Sequence, residues 1–316
     1  MLFVGRYSRN QKAAGGCRVI DAKEFNKRWR RSLESPNWEN QQRTAKMAQW
    51  GTLGGATWQV MAEFVGKMMD AVISDIHGNL EALEAVLEAI RQLGASRIIC
   101  LGDLVGYGPD SLACVRRSAE WEVVLAGDWD LAMIDHDPAQ WNPFINEHIE
   151  WVRNQMEAAS DSEMLLEILR SYRRSFVENG RHFTHATPAD VSEWVFPEDA
   201  YAPEKLNRIA KQFESVCFCG HSHIQGVFKQ VDPSDWEFVE AIAGECYELQ
   251  PGQKTIVTVG SVGQPRDGDP RAAFLVLDGD TVRFHRIAYH VAATVKKIRS
   301  IPEIDNMHGE RLLVGR

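Results

Sequence analysis

Aspartate and histidine side chains follow five short apolar segments of this chain in succession. The segments lead into "SDIHGN" (74–79), "GD" (102–103), "GDWD" (127–130), a lone His185, and "GHSH" (220–223). Carboxylate oxygens and imidazole nitrogens are the ligands that hard to borderline divalent metals take from proteins. A single residue of this kind is more often a turn former or a buried histidine. Five repeats at one kind of position favour a metal site, and four carboxylates with four imidazoles are enough for two cations.

The elements that would position these side chains have the pattern of an α/β sheet. Ligands gather at the carboxyl ends of the strands in such sheets. A helix is predicted after the first strand, with Asn79 as its N-cap and Gly94 at its end. The predicted strands are Ala71–Ser74, Arg97–Leu101, Glu122–Ala126, His182–Thr184 and Val216–Cys219.

The second half of the chain turns to β structure after Asp235. "WEFVEAI", "KTIVTVGS" and "AAFLVLDGDTVRFHRIAY" read as strands, and Asp278-Gly279 predicts a hairpin within the last of them. Residues 138–178 are rich in Trp, Glu, Met and Leu with helical spacing, which predicts two helices. The stretch from Val291 onward is polar and weakly patterned.

Composition indicates a globular protein of 316 residues, with 44% hydrophobic and 25% charged side chains. No stretch approaches the roughly 18 apolar residues needed to span a bilayer, so no membrane partner is expected. The six cysteines are too scattered for a disulfide framework, and reduced thiols in a cytoplasmic protein are the simpler interpretation. Cys217 and Cys219 alternate along an apolar run, which favours packing in a core strand over metal binding.

The net charge of −9 conceals an asymmetry between the ends of the chain. Residues 1–67 carry 12 Lys and Arg against 5 Asp and Glu, so the remainder is strongly acidic. An acidic domain lacks the basic stripe of a phosphate-backbone binder, and nucleic-acid binding through residues 1–67 is a minor alternative. These residues are interpreted as an N-terminal extension, disordered or non-native, before a start at Met68 or Met69; a transit segment is the alternative.

The motifs in combination resemble the calcineurin-like metallophosphoesterases. They are "SDIHGNLEAL", "LGDLVGYGPD", "FTHATP", "GHSH" and "GSVGQPRDGDPRAAFLVLD". The resemblance extends to the bacterial YfcE-like branch, which shares a fold with the retromer subunit Vps29. It implies an α/β protein built as a two-sheet β-sandwich flanked by helices, in four layers. The domain would span 68–290, with 138–178 as a helical insertion and 291–316 as a C-terminal tail.

Carried over position by position, the resemblance implies a dinuclear metal centre. One metal would be held by Asp75, His77 and His223, and Asp103 would bridge to the second. The second metal would be held by position 128 together with His185 and His221. The implied reaction is attack on phosphorus by a hydroxide that bridges the metals, which lower the pKa of water from about 15.7 toward 7.

Two positions depart from the family motif, which has Asn-His where this chain has Asp128-Trp129. Asp128 can still bind a metal through a carboxylate oxygen. Compared with Asn, its extra negative charge would strengthen metal binding but would weaken the attraction of the metal for the nucleophile. The family histidine is thought to protonate the leaving group, a contribution of about 10²–10⁴-fold. An indole N–H cannot release its proton at neutral pH. The chain is therefore either an enzyme for leaving groups that need no proton, such as phosphoanhydrides or aryl phosphates, or a decayed enzyme.

Arg266 lies in a Gly- and Pro-rich loop, and its guanidinium could make a bidentate contact with a substrate phosphate. A surface ion pair with Asp267 or Asp269 is the alternative. His136 and His182 could each replace the missing acid if the fold brings them close. The segment "GYGPD" at 106–110 is interpreted as a turn that shapes the rim of the pocket.

The sequence thus predicts a cytoplasmic hydrolase with Asp103, Asp128 and Arg266 as its catalytic residues. Its substrate would be a phosphorylated small molecule or a nucleotide, and its cofactors two divalent ions of manganese, iron, zinc or nickel. The competing hypothesis is a phosphoesterase-like scaffold of low or no activity that binds a partner protein. That scaffold would use Trp141, Trp151, Trp194 and Trp236 as an exposed apolar patch. The oligomeric state stays open.

Overall fold

The computed structural model describes residues 69–135, 137, 141 and 143–316, without the side chain of Phe144. The predictions for residues 1–67 and for His136 lie outside these residues. In the described part, no helix combines the length and apolar character needed to cross a membrane.

The described residues form twelve strands and eight α-helices. The strands are β1 (Asp70–Ile73), β2 (Arg97–Cys100), β3 (Val123–Val124), β4 (Ser175–Glu178), β5 (Arg181–Thr184), β6 (Val216–Cys219), β7 (Gln225–Asp232), β8 (Asp235–Glu240), β9 (Cys246–Glu248), β10 (Thr255–Val259), β11 (Ala272–Asp278) and β12 (Thr281–Ile287). The helices are α1 (Leu80–Leu93), α2 (Ser111–Ser118), α3 (Asp128–Ile134), α4 (Pro143–Ala158), α5 (Ser162–Ser171), α6 (Pro203–Ala210), α7 (Val291–Arg299) and α8 (Asn306–Leu312). A 3₁₀ helix spans Pro197–Tyr201.

The strands form two mixed sheets of six. The first has the order β3-β2-β1-β11-β12-β9, and the second has the order β4-β5-β6-β10-β7-β8. In the first sheet, β1, β2 and β3 are mutually parallel. In the second sheet, β5, β6 and β10 are parallel. Within each sheet, the strands that precede the candidate ligands are therefore parallel, and their carboxyl ends lie at the same edge.

Alternation along each strand builds the layers. In β1, Val72 packs between the two sheets, whereas Ala71 and Ile73 face the helices that cover the first sheet. In β6, Phe218 points into the space between the sheets, whereas Cys217 and Cys219 face the helical layer on the second sheet. Three apolar cores thus separate four layers. The predicted fold, a two-sheet β-sandwich flanked by helices, is confirmed, and both cysteines pack in the core as predicted.

Most of the predicted elements match the structure in position. Asn79 caps α1 by accepting the N–H of Ala82, and Gly94 ends that helix in the left-handed region. The hairpin of β11 and β12 turns at Gly279, as "DGD" predicts. The stretch 138–178 contains α4 and α5 but also ends in the strand β4, which helical spacing did not reveal. The strands β7 and β9 were also missed.

Residues 291–316, predicted as a tail, form α7 and α8 instead. Their apolar residues, including Val295 and Ile298, bury a small core of their own against Trp151 of α4. The hydroxyl of Thr294 is fully buried between Asn79 Oδ1 at 3.1 Å and Glu81 Oε2 at 2.9 Å. The C-terminal helices therefore brace the loop that carries the first candidate ligands.

Replacing Thr294 with valine tests this brace. The change preserves shape but removes a buried hydrogen bond, so we expect the free energy of unfolding to fall by about 1–2 kcal/mol. Urea denaturation measures it. Ser300→Ala, which removes an exposed hydroxyl at the end of the same helix, is the control, with an expected change within about 0.5 kcal/mol. Equal effects of the two variants would contradict the brace.

Candidate metal centre

The loops after β1 and β2 are joined to each other by backbone hydrogen bonds. The N–H of Asp75 donates to Gly102 O at 2.9 Å, and the N–H groups of Ile76 and His77 both donate to Asp103 O. The second sheet joins them where the N–H of His221 donates to the Asp75 carboxylate at 3.0 Å. Strand ends from both sheets therefore meet at one point, and the predicted side chains converge there.

Seven of the predicted side chains form two groups, and within each group the ligand atoms lie within 4.8 Å of one another. The first group has His223 Nε2 at 3.2 Å from Asp75 Oδ1 and at 3.1 Å from His77 Nε2. The second group contains Asp103, Asp128, His185 and His221. Each group offers nitrogen and oxygen donors together, the mixture that borderline divalent metals accept.

Asp103 lies between the two groups. Its Oδ2 is 3.5 Å from Nε2 of His77 in the first group and 3.4 Å from Nε2 of His185 in the second. One carboxylate oxygen is thus in reach of both sets of donors, the position that a bridging ligand requires.

Backbone carbonyls orient all four imidazoles. Each ring turns one nitrogen away from the centre to a carbonyl oxygen, in the pairs His77–Val105, His185–Leu101, His223–Gln264 and His221–Ser192, at 2.6 to 3.1 Å. A carbonyl can only accept, so the outer nitrogen carries a proton, and whenever the ring is neutral the inner nitrogen presents its lone pair to the centre. Metal-bound histidines are held in this way in known sites.

The charges of the centre are strongly perturbed by burial. Burial, together with the neighbouring His223, lowers the pKa of His77, so its imidazole is neutral near pH 7. Burial raises the pKa of Asp103 well above its usual range. Burial alone would raise the pKa of Asp75 as well, but His223 and the other nearby imidazoles lower it. The carboxylates of Asp75 and Asp128, whose pKa values the nearby imidazoles lower despite burial, are anionic near pH 7. Divalent cations would compensate their charge and would also favour the ionised form of Asp103, so the donor set fits two divalent cations.

The backbone at these residues is strained. Asp75, His77, Asp103, His221 and His223 all have positive φ, between 47° and 62°. The left-handed region is uncommon for residues other than glycine, and each such residue costs about 1–3 kcal/mol. Five of the seven candidate ligands carry this strain, and residues strained in this way cluster at functional sites.

Asp130, the eighth acidic or imidazole group in the motifs, has a different role. Its carboxylate accepts the backbone N–H groups of Asp103, Leu104 and Gly127 at 2.7 to 3.0 Å. It is fully buried behind the centre and belongs to neither donor group. Gly127 allows the Asp103 carboxylate to lie against the backbone, because a Cβ at position 127 would overlap that carboxylate. Asp130 therefore positions the bridging candidate.

Trp129 lines the wall of the centre instead of closing it. The indole is 3% exposed and packs against Tyr107 at 4.5 Å and edge-on to His77 at 5.9 Å between ring centroids. A cavity of 210 Å³ remains open over the two donor groups, with Trp129 among its lining residues. The ring lies over Gly106, where a Cβ would overlap it.

Arg266 lies at the same cavity, between two aromatic rings. Its guanidinium is 5.5 Å from the ring centroids of both Tyr107 and Trp194. Its Nε is buried without a hydrogen-bond partner, and a terminal nitrogen donates to Gln264 Oε1 at 2.7 Å. The ion-pair alternative for Arg266 is wrong in the described residues, where Asp267 pairs with Arg286, and Asp269 with Arg271.

Sequence reasoning missed part of the cavity wall. Trp141 and Trp194 line it, although they had been grouped with Trp151 and Trp236 as a docking surface. Trp236 is 4% exposed in the core outside the second sheet, and Trp151 packs on α7. The four tryptophans therefore form no common exposed patch. Only "GYGPD" had been interpreted as part of the rim, and it contributes Tyr107; the segment "VSEWVF" (191–196), which contributes Trp194, had not been singled out. His182 is not among the described lining residues.

Comparison with known proteins identifies the same region of the chain. Residues 68–281 match the family described as calcineurin-like phosphoesterase superfamily domain. An uncharacterized protein of Methanocaldococcus jannaschii is 32% identical over 262 residues, which is 79% of this chain and 99% of that protein. The phosphodiesterase YfcE of Escherichia coli is 27% identical over 214 residues, 66% of this chain and 86% of that protein.

A solved structure has the same architecture. The metallophosphoesterase from Sphaerobacter thermophilus superposes with a TM-score of 0.68 at 28% identity, covering 79% of this chain and 99% of that one. The two-sheet sandwich with its helical layers is therefore shared with a relative of known structure.

Gly106→Ala tests the close contact with Trp129. The left-handed backbone, at a φ of +94°, costs alanine about 1–2 kcal/mol, and overlap with the indole adds about 1–3 kcal/mol. Gly94→Ala is the matched control, because Gly94 has a φ of +75° and a methyl group there would meet no atom within 4 Å. Chemical denaturation gives both free energies of unfolding.

A double-mutant cycle separates the two terms. In a Trp129→Ala background, we expect the loss caused by Gly106→Ala to fall to that of Gly94→Ala, because only the backbone term remains. If Gly106→Ala lowered the free energy of unfolding by the same amount in that background, the indole would not contact Gly106 in solution.

Proposed function

This chain belongs to the calcineurin-like phosphoesterase superfamily, and we propose that it is a dinuclear metal-dependent hydrolase of phosphoesters or phosphoanhydrides with leaving groups that need no protonation. The observation that carries the proposal is the convergence of seven donors, six of them buried, with Asp103 in reach of both groups. Manganese as the metal and the cytoplasm as the location stay predictions from the sequence.

The residues of the centre have distinct proposed roles. Asp75, His77 and His223 would hold one cation; Asp128, His185 and His221 would hold the other, with Asp103 shared. Two bound cations supply a hydroxide nucleophile at neutral pH and neutralise charge on the phosphoryl oxygens. The carbonyl-anchored imidazoles keep the donors in place before substrate arrives, which removes reorganisation from the reaction step.

Trp129 sets the proposed preference for leaving groups. It occupies the motif position at which the family places a proton donor, and an indole N–H does not ionise at neutral pH. The ring instead contributes an aromatic wall, together with Tyr107 and Trp141. A substrate with an aromatic leaving group would stack there and depart as a stable anion.

Arg266 is proposed to bind the substrate phosphate. The guanidinium lies on the cavity with an unpartnered Nε, and Tyr107 and Trp194 on either side restrict its orientation. A planar fork with free donors suits bidentate contact with phosphate oxygens.

The scaffold hypothesis has less support. It rests on the absence of a general acid at position 129 and on four tryptophans that form no common exposed patch. The open cavity over the donor groups and the unpartnered Nε of Arg266 both favour turnover.

The leaving-group dependence of turnover tests the proposed function. With manganese supplied, we expect kcat/KM on aryl phosphates to rise steeply as the pKa of the leaving group falls, and alkyl phosphates to react at least 100-fold more slowly, since the missing acid is worth about 10²–10⁴-fold. Asp103→Asn should abolish turnover of all of them. If metal-loaded protein turned over none of these esters, the proposed enzymatic activity would be wrong.

Restoring the family residues gives the converse test. In the double variant Asp128→Asn with Trp129→His, we expect alkyl phosphates to gain about 10²-fold or more and aryl phosphates to gain little. The single variant Asp128→Asn is the control for the change in charge. Equal gains on both substrate classes would contradict the role assigned to position 129.

Arg266→Ala should raise KM for a phosphate ester by about 10-fold or more, because the variant loses a charge-assisted contact with the phosphate. Arg266→Lys keeps the charge but not the fork, and we expect it to recover only part of the loss. Arg271→Ala, at a residue paired with Asp269 away from the cavity, is the control. A KM unchanged in Arg266→Ala would remove Arg266 from substrate binding.

A further inference from the structure

The loop that carries Arg266 is joined on its inner side to the candidate metal centre. Residues 260–271 connect β10 to β11 and contain this loop. His223 Nδ1 donates to Gln264 O at 2.6 Å, and the N–H of Arg266 donates to His223 O at 3.2 Å. A candidate metal ligand therefore fixes the loop at the point where the proposed phosphate-binding side chain begins.

The outer side of the loop is joined to the segment 311–316, which begins in the last turn of α8. The N–H of Gly268 donates to Gly315 O at 2.8 Å. Asp267 and Gly268 are exposed, so the loop lies at the surface here. An ion pair of Asp267 with Arg286 connects a side chain of the loop to β12. The contact with Gly315 holds its backbone.

Gly315 is buried and lies directly against the loop. A Cβ at this position would be 2.6 to 2.7 Å from backbone atoms of Asp269, and the φ of Gly315 is +65°. Gly94 and Gly252 also have positive φ, but a Cβ at either of them would meet no atom within 4 Å. The backbone turn alone would thus explain those two glycines, whereas Gly315 is also required by the close approach of two backbones.

The segment 311–316 is itself held in a fixed turn. Arg311 Nε donates to Arg316 O at 2.7 Å, and the N–H groups of Val314 and Arg316 both donate to Arg311 O at 3.2 Å. Leu312 is 4% exposed and packs in the small core that α7 and α8 share. The segment can therefore serve as a rigid support for the loop that it contacts.

The helix α8 also contacts the side-chain environment of Arg266. The ring of His308 packs against Tyr107 with centroids 5.0 Å apart, and the Arg266 guanidinium is 5.5 Å from the other partner in this chain of contacts, the Tyr107 ring. Arginine has many rotamers, and ordering it on binding costs free energy unless the protein has already restricted it. Contacts from α8 and the segment after it restrict both the backbone and the side chain of Arg266.

We propose that the segment 311–316 is a positioning element for Arg266, with Gly315 as the residue that holds the loop. It keeps the guanidinium over the cavity before a phosphate arrives, and it touches neither the phosphate nor the metals. The inference rests on the function proposed above for Arg266. It assigns a role in phosphate binding to a part of the chain whose pattern indicated only a polar tail.

Amide hydrogen exchange tests the contact without reference to activity. In full-length Gly315→Ala, we expect the N–H groups of Arg266 and Gly268 to exchange at least about tenfold faster than in wild type, because the loop opens more often. The N–H of Val72 in β1 should be unchanged. Gly252→Ala is the matched control, since it brings the same backbone strain without the overlap. Unchanged exchange at Arg266 and Gly268 in Gly315→Ala would overturn the proposal.

Phosphate binding tests the consequence for Arg266. Metal-loaded protein is titrated with inorganic phosphate by calorimetry, and its turnover of an aryl phosphate is measured. We expect Gly315→Ala to weaken phosphate binding and to raise KM by about fivefold or more, with kcat within about twofold and metal content unchanged, because only substrate binding is lost. Gly252→Ala should match wild type. A loss of metal content that accounts for the weaker binding would overturn the proposal.

A double-mutant cycle separates positioning from a general loss of stability. In an Arg266→Ala background, Gly315→Ala should weaken phosphate binding no further, because the residue through which it acts is gone. An equal further loss in that background would overturn the proposal.

Two further outcomes keep this inference distinct from the function proposed for Arg266. If Arg266→Ala left phosphate binding unchanged, the role of Arg266 itself would be wrong, while faster exchange in Gly315→Ala would still support the segment as a brace of the loop. If Gly315→Ala did not fold, Arg311→Met would replace it, because this variant loses the contact with Arg316 O and adds no atom next to Asp269. Exchange at Arg266 and Gly268 should again be faster, and unchanged exchange would overturn the proposal.

Discussion

The structure depends on holding several carboxylates and imidazoles together at one largely buried point. Such groups repel one another or lose hydration unless cations or hydrogen bonds compensate them. The fold does this by joining the strand-end loops through their own backbone, by anchoring each imidazole to a carbonyl, and by placing Asp130 behind Asp103. Positive φ at five candidate ligands shows that local backbone preference is overridden to bring them there.

The sequence predicted the architecture and the donor set because both depend on short-range signals. Alternating and apolar runs identified the strands, and Asp or His after each run indicated where the side chains would meet. The same signals do not distinguish a residue that binds a metal from a residue that only positions such a ligand. Asp130 looks like a fourth carboxylate donor in "GDWD", yet its partners are backbone N–H groups that only the folded loop provides.

The features that the sequence could not predict depend on contacts between distant segments. Nothing in "GYGPD" or "VSEWVF" says that Tyr107 and Trp194 lie on either side of Arg266. The polar composition after Val291 concealed two helices, because only a few apolar residues, including Val295 and Ile298, form their buried face against Trp151 of α4. The sequence singled out Trp129 as a departure from the family motif, but not its place in the cavity wall, where the ring lies over Gly106.

The long sequence separation between partners of the centre has a consequence for how the chain reaches its native state. His77 and His223 are 146 residues apart, in loops that follow strands of different sheets. Neither group of donors can exist in a partly folded chain that has formed only one sheet, so ions cannot act as an early nucleus. Ions held by these donors would bind only the completed sandwich and would shift the folding equilibrium toward it by mass action. Metal supply would then govern how long the finished protein lasts, and not how fast it forms.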